Sequence, residues 1–272
     1  MDWRWRECTG ILFSMSHAAL NPLLAMKTAA IAADLAPRAK PLPLGAASSA
    51  SRERTTSPGA PGAAGILPLP EAVSALLPDG GLLRGGVVEI AAARGLAKAT
   101  SLGLAACASA QAEARLRGGG LGTQGAWCAW VDSTGSLHAP FVSAAGVDLA
   151  RLLVMRPPVE KLAKVAVRAA ESRAFSVLVI DTVGALGDHD RARSDEVGRW
   201  ANTVRRLSMA IEGSDRAIVL LTDLWAHRPM VLPVAMRIEV ERPAADRLFV
   251  RVGKDRFGRV TSKAPVALAE SA

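Results

Sequence analysis

The 272-residue chain contains no tyrosine, and aromatic residues make up only 4% of it. Single-stranded nucleic acids bind by stacking on rows of such rings, so a repeated stacking platform is excluded. Cysteine is scarce as well. Cys8, Cys107 and Cys128 share no close spacing, which argues against a zinc site or a disulfide framework and makes a reducing cytoplasm the expected location. No apolar run reaches the roughly 20 residues of a membrane helix. The nearest stretch, residues 11–26, follows Arg4 and Arg6 in the outline of a signal peptide, but Ser14, Ser16, His17, Asn21 and Pro22 interrupt it. A misplaced start, with Met15 or Met26 as the true one, also explains that segment. What is abundant is apolar sequence: half the residues are hydrophobic and 21% charged, which excludes wholesale disorder. Lys and Arg outnumber Asp and Glu by 33 to 25, for a net charge of +8. That balance permits an acidic partner such as DNA, and a generally arginine-rich composition explains it equally well.

Residues 36–65 are rich in Pro, Ala, Ser and Gly and read as a flexible linker. The expected organisation is a disordered or weakly ordered extension over 1–63, a core over 64–265 and a tail over 266–272, with no internal repeat. Within the core, short apolar runs at 87–90, 126–131, 152–155, 177–180 and 217–221 fit strands buried on both faces of a parallel sheet. Helical patterns at 98–117, 159–173 and 194–212 separate them, with Ser194 or Asp195 as a cap for the last. This alternation implies βαβ units with right-handed crossovers. Residues 236–241 and 248–253 instead alternate apolar and polar, as in a half-exposed antiparallel hairpin, and a short third strand is expected over 259–262.

The first core strand runs into AAARGLAKATSL, the position of a phosphate loop. Lys98 stands where that motif's lysine belongs, but Ala92 and Ala97 replace its glycines. Arg94 and Gly95 lie within the loop, Gly95 out of place. Ala99 occupies the Mg²⁺-binding hydroxyl position, and Thr100 follows one residue later. Alanine cannot cheaply adopt the conformations that turn successive N–H groups toward a phosphate. Lys98 and the helix start still attract anions, although a solvated lysine opening a helix accounts for it too. The strand at 177–180 ends in Asp181, the shape of a Walker B element whose carboxylate faces Mg²⁺ or its water; a simple turn cap has the same shape.

In order, LPDGGLLRGGVVEI, the loop with Lys98, AWVDSTG, FVSAAGVDLARLLVMRP and FSVLVIDTVGAL resemble the RecA ATPase core over about residues 64–255. The resemblance implies an α/β P-loop fold, a mainly parallel sheet flanked by helices with a C-terminal antiparallel hairpin. It also marks departures. Thr134 stands where the family's water-polarising glutamate belongs. Asp223 falls near the glutamine that senses the terminal phosphate. Residues 225–233 leave only a short, proline-pinned connection where RecA has a long DNA-binding loop, GDHDRARSDE replaces the earlier one, and no counterpart of the RecA C-terminal domain is expected. This pattern, with LPVAMRIEVERP and VRVGKDRFGR, is similar to the ImuA family of RecA-like accessory proteins in bacterial translesion synthesis.

That family implies an adaptor whose partners are an ImuB-like polymerase homologue, an error-prone C-family polymerase complex and RecA itself. The adaptor reading requires no catalytic residue and no cofactor. The competing reading, a DNA-dependent ATPase or recombinase, uses ATP and Mg²⁺ at Arg94, Gly95, Lys98, Thr100 and Asp181. A third reading is a DNA-binding regulator acting through the hairpin. There Arg247, Arg251, Lys254, Arg256 and Arg259 form a basic edge for DNA or a partner, or a solvated strand face that deters aggregation. Trp225, His227 and Met230 lie in the short loop, and Asp188, His189 and Asp190 cluster after Asp181.

Overall fold

The computed structural model describes residues 65–93, 98–117, 126–182, 185, 194–224, 231–244, 247–262 and 264–266. Val87, Val88 and Ile90 anchor a strand, β3 (Gly86–Ala92), that is buried along its whole length. Before it come β1 (Ile66–Pro68), a four-residue helix α1 (Glu71–Ser74) and β2 (Gly81–Leu83). The short antiparallel ribbon of β1 and β2 was not legible in the sequence.

After β3 the chain alternates as expected. It forms α2 (Lys98–Arg117), β4 (Cys128–Asp132), α3 (Ala139–Ala144), β5 (Leu152–Met155), α4 (Leu162–Glu171), β6 (Val177–Asp181), α5 (Ser194–Ile211) and β7 (Ala217–Asp223). It ends with β8 (Met236–Ala244), β9 (Arg247–Asp255) and β10 (Ala264–Val266). The main sheet has eight strands in the order β10-β9-β8-β3-β7-β6-β4-β5. Pairing is parallel from β5 to β8 and antiparallel from β8 through β10. The expected α/β fold with a C-terminal hairpin is therefore what forms.

Two apolar layers cover the sheet. On one face α2 packs over Ile90, Trp130, Val179 and Val219. On the other, Leu162 and Val167 of α4 and Trp200, Val204 and Leu207 of α5 pack over Val131, Ile180 and Leu220. Buried Gln111 ties α2 to the chain entering β5: its amide accepts from the Asp148 N–H at 2.8 Å and donates to the Asp148 carbonyl at 3.2 Å. Cys107 and Cys128 meet in the core, where the Cys128 thiol donates to the Cys107 carbonyl at 3.7 Å. A hydrogen bond with Cys128, then burial, raises the Cys107 thiol well above its ordinary pKa. Among the described residues no helix is long and apolar enough to cross a membrane.

Three expectations need correction. The run 152–155 was read as buried on both faces, but β5 ends the sheet, with Leu153 43% and Val154 36% exposed. Sequence periodicity reports apolarity, and an edge strand made for covering carries the same signal as a central one. The third hairpin strand lies at β10, not at 259–262. There the Val252 N–H is taken by the Thr261 hydroxyl at 2.9 Å, and ladder pairing starts only at Ala264 opposite Val250. Finally, α4 starts at Leu162 because Pro157 and Pro158 precede a 3-10 turn, Val159–Lys161.

Gly103 of α2 lies against the buried Trp130 ring, where an added Cβ would sit 3.0 Å from a ring carbon. Gly103→Val is therefore expected to destabilise the protein by about 1–3 kcal/mol through overpacking, read as a lowered midpoint in urea unfolding.

Candidate functional site

The chain leaves β3, crosses to β4 beyond β7 and β6, and later returns to β8 on the other side of β3. In such sheets a crevice opens beyond the carboxyl ends of the strands where the crossovers part. Several acids gather at that end. Asp132 and Asp181 terminate β4 and β6 and are register partners, both buried. Asp223 terminates β7 opposite Ala92. Lys98 begins α2 on the same edge, and Thr100 is half-buried in its first turn. The structure thus brings Lys98, Thr100 and Asp181 to one end of the sheet. Arg94, Gly95 and the Lys98 side chain lie outside the described residues, as do Asp188, His189, Asp190, Trp225, His227, Met230 and the side chains of Ser194 and Asp195.

Asp132 organises the loop after β4. One of its oxygens accepts the Thr134 N–H at 3.1 Å, the Thr134 hydroxyl at 2.9 Å and the Gly135 N–H at 2.9 Å. The other accepts the Leu137 N–H at 2.9 Å. A buried carboxylate with four donors is a structural pin. Thr134 has its proton directed into this cap, and a hydroxyl is in any case no base for water. Beyond it, the Thr182 hydroxyl donates to the Leu221 carbonyl at 2.7 Å and locks β6 to β7 just past Asp181.

The basic hairpin residues fall into two groups. Arg251 pairs with Glu239. Lys254 donates to the Leu232 carbonyl at 2.9 Å; burial lowers its pKa, opposed by the Glu89 charge. Arg259 grips Asp79 with two hydrogen bonds, at 2.8 and 2.7 Å, and Asp255 with another at 2.8 Å. These three are committed within the protein. Arg256 is exposed, stacked on the Phe257 ring, and the Arg247 side chain lies outside the described residues.

Sequence reasoning missed the acids that hold these cations. Glu89 sits fully buried in the middle of β3, accepting the Thr222 hydroxyl at 2.7 Å and facing Arg237 at 3.5 Å. Arg237 in turn meets Glu239 at 3.1 Å. A bulge at Gly253 makes the contact: Arg237 pairs with Lys254 while Ile238 pairs with Val252, so the extra residue turns Lys254 onto the polar face. A Cβ on Gly253 would meet the Glu239 carboxylate at 2.7 Å. A lone glutamate inside the apolar run VVEI was the available signal for this network.

A parallel sheet wrapped by helices on both faces, switching direction at β3 with a lysine-headed helix and buried aspartates at the carboxyl ends, defines a RecA-type core. The sequence pattern of the RecA N-terminal domain matches residues 65–222, more than half of the chain, and the chain belongs to that family. Protein RecA of Cutibacterium acnes is 35% identical over 116 residues, 42% of this chain and 30% of that protein. Protein RecA of Corynebacterium jeikeium is 36% identical over 116 residues, 42% and 28% of the two chains. Protein RecA of Bartonella bacilliformis is 29% identical over 154 residues, 53% and 41%. The chain spans less than half the length of these curated relatives.

Asp255 offers a check on the hairpin clamp. Burial works against its ionisation, but hydrogen bonds from the Arg259 side chain and from the Arg259 and Phe257 N–H groups outweigh it and hold the carboxyl below its ordinary range. A depressed folded-state pKa gives stability that is complete above about pH 4 and lost as pH falls through the folded value. Asp255→Asn is expected to cost about 1–3 kcal/mol at neutral pH and to flatten the acid limb, read by thermal unfolding from neutral pH down.

Proposed function

We propose that this protein is a non-catalytic RecA-type adaptor in DNA-damage-induced translesion synthesis, the role its resemblance to the ImuA family implies. The observation that carries the reading is Thr134. It occupies the position of the expected water-polarising glutamate, and its hydroxyl donates to Asp132. Ala99 adds a second loss, since the position directly after Lys98 carries no side-chain oxygen to meet Mg²⁺. In this reading the site needs no ATP or Mg²⁺, and the fold works through its surfaces in the cytoplasm. Its partners are the ImuB-like polymerase homologue, the error-prone C-family polymerase complex and RecA. The open β5 edge suits such a role, with Leu149, Leu153, Val154 and Val159 all more than a third exposed around it. An extended apolar segment of the polymerase homologue would add there as one more strand. DNA contact, if the complex uses it, falls to Arg247 and Arg256.

Titrating a fluorescent ATP analogue with Mg²⁺ against wild type and Lys98→Ala tests the non-catalytic half. The adaptor reading expects no saturation up to millimolar nucleotide. Micromolar binding that Lys98→Ala abolishes would overturn it in favour of the ATPase, with Lys98, Thr100 and Asp181 as the working residues. For the surface half, Leu153→Asp is expected to abolish pull-down of the polymerase homologue while leaving the melting temperature within a few degrees of wild type. Undiminished capture would rule out the β5 edge.

A further inference from the structure

The connection from β9 to β10 is a fixed turn with an exposed tip. The Asp255 carboxylate accepts the Phe257 and Arg259 N–H groups at 3.2 Å each, and its carbonyl accepts the Gly258 N–H at 2.9 Å. The Arg259 grip on Asp79 ties the turn to the segment before β2. Phe257 nevertheless stands 62% exposed. The guanidinium carbons of Arg256 and Arg259 lie 4.6 and 5.0 Å from its ring centre. Burying such a ring is favourable, and the clamped turn holds it in water instead.

Arg256 links this ring to a second feature. It forms one wall of a cleft of about 330 Å³ at the amino end of β3, together with Gly85, Gly86, Met209, Glu212 and Val234. Its own N–H donates to the Ala235 carbonyl at 2.8 Å, which fixes the wall. Met209 is 65% exposed. Among the described residues the Arg256 guanidinium meets no carboxylate.

A polyanion such as DNA is bound by a row of free cations. Among the described side chains of this hairpin, Arg251, Lys254 and Arg259 have internal partners and Arg256 is the one available. One uncommitted arginine, one rigid exposed ring and a cleft in which Met209, Pro233 and Val234 stand beside Ser208 and Glu212 are instead the mixed composition of a protein-interface anchor. We propose that the Arg256–Phe257 turn and the adjoining cleft dock a protein segment carrying a large apolar residue beside a carboxylate. The carboxylate meets Arg256, and the apolar side chain enters the cleft against Met209 and Val234. Phe257 packs over the segment. This surface lies on the β10 side of the sheet, away from β5, and it stands without the adaptor reading.

Random short peptides displayed on phage would be selected on the immobilised full chain, with the Arg256→Glu, Phe257→Ala double variant for counter-selection. The strongest peptide would then be measured by calorimetry. Selected peptides are expected to carry Asp or Glu next to Leu, Ile, Phe or Trp. Either single variant should weaken binding by about tenfold or more, and Arg256→Glu should regain affinity for the peptide with its acid replaced by Lys. Both side chains are exposed, so unchanged melting temperatures accompany these losses. The proposal falls if no peptide distinguishes wild type from the double variant, or if the selected peptides lack an acid. It falls equally if the two substitutions abolish binding of an oligo-dT strand, which would make the occupant nucleic acid.

Discussion

Parallel pairing of β3 on both sides is the constraint from which the architecture follows. A strand hydrogen-bonded to β7 and β8 and covered on both faces has no water for its backbone or side chains. It must be apolar, and its neighbours must arrive by crossovers that run over the sheet. Those crossovers are α2, α4 and α5, and they bring the carboxyl ends of β4, β6 and β7 to one edge. The aspartates there are consequences of the same geometry, since that edge is where a buried strand first meets polar surroundings.

The one charge inside β3 shapes the rest of the sheet. Glu89 cannot stay buried without donors, and Thr222 on one neighbour and Arg237 on the other supply them. Arg237 then needs a second acid, which is Glu239, and Glu239 recruits Arg251. The charge of a central strand is thus relayed to the hairpin. Positive residues that look like an exposed basic edge in a one-dimensional reading are in large part the far end of an internal chain of counter-charges.

The parallel core was legible because its signals are local. Val87–Ile90, Val177–Ile180 and Ala217–Leu221 are apolar runs of strand length, and Lys98–Arg117 has the composition and length of the helix it forms. The order of these segments also carried the RecA resemblance. What escaped were properties that depend on distant neighbours. Leu152–Met155 has the composition of a central strand, and only the sheet order makes it an edge. Asp79 and Arg259 are 180 residues apart, and no spacing rule joins them. Asp132 was visible in the sequence, but its role as a pin depends on how the five residues after it turn back on it.

The bulge at Gly253 decides which face each later side chain of the hairpin takes. Side chains along a strand alternate between faces, and the extra residue resets that alternation between Val252 and Lys254. Gly253 itself can be lost without changing any face, because Val252 and Lys254 already lie on opposite ones, but a regular ladder that kept Gly253 would invert everything downstream. Lys254 would be driven into the apolar layer beneath α2, and Asp255 would swing outward, away from the N–H groups and guanidinium it now holds. The hairpin therefore depends on the bulge to absorb its extra residue, and exchanging side chains elsewhere along it leaves that alternation intact.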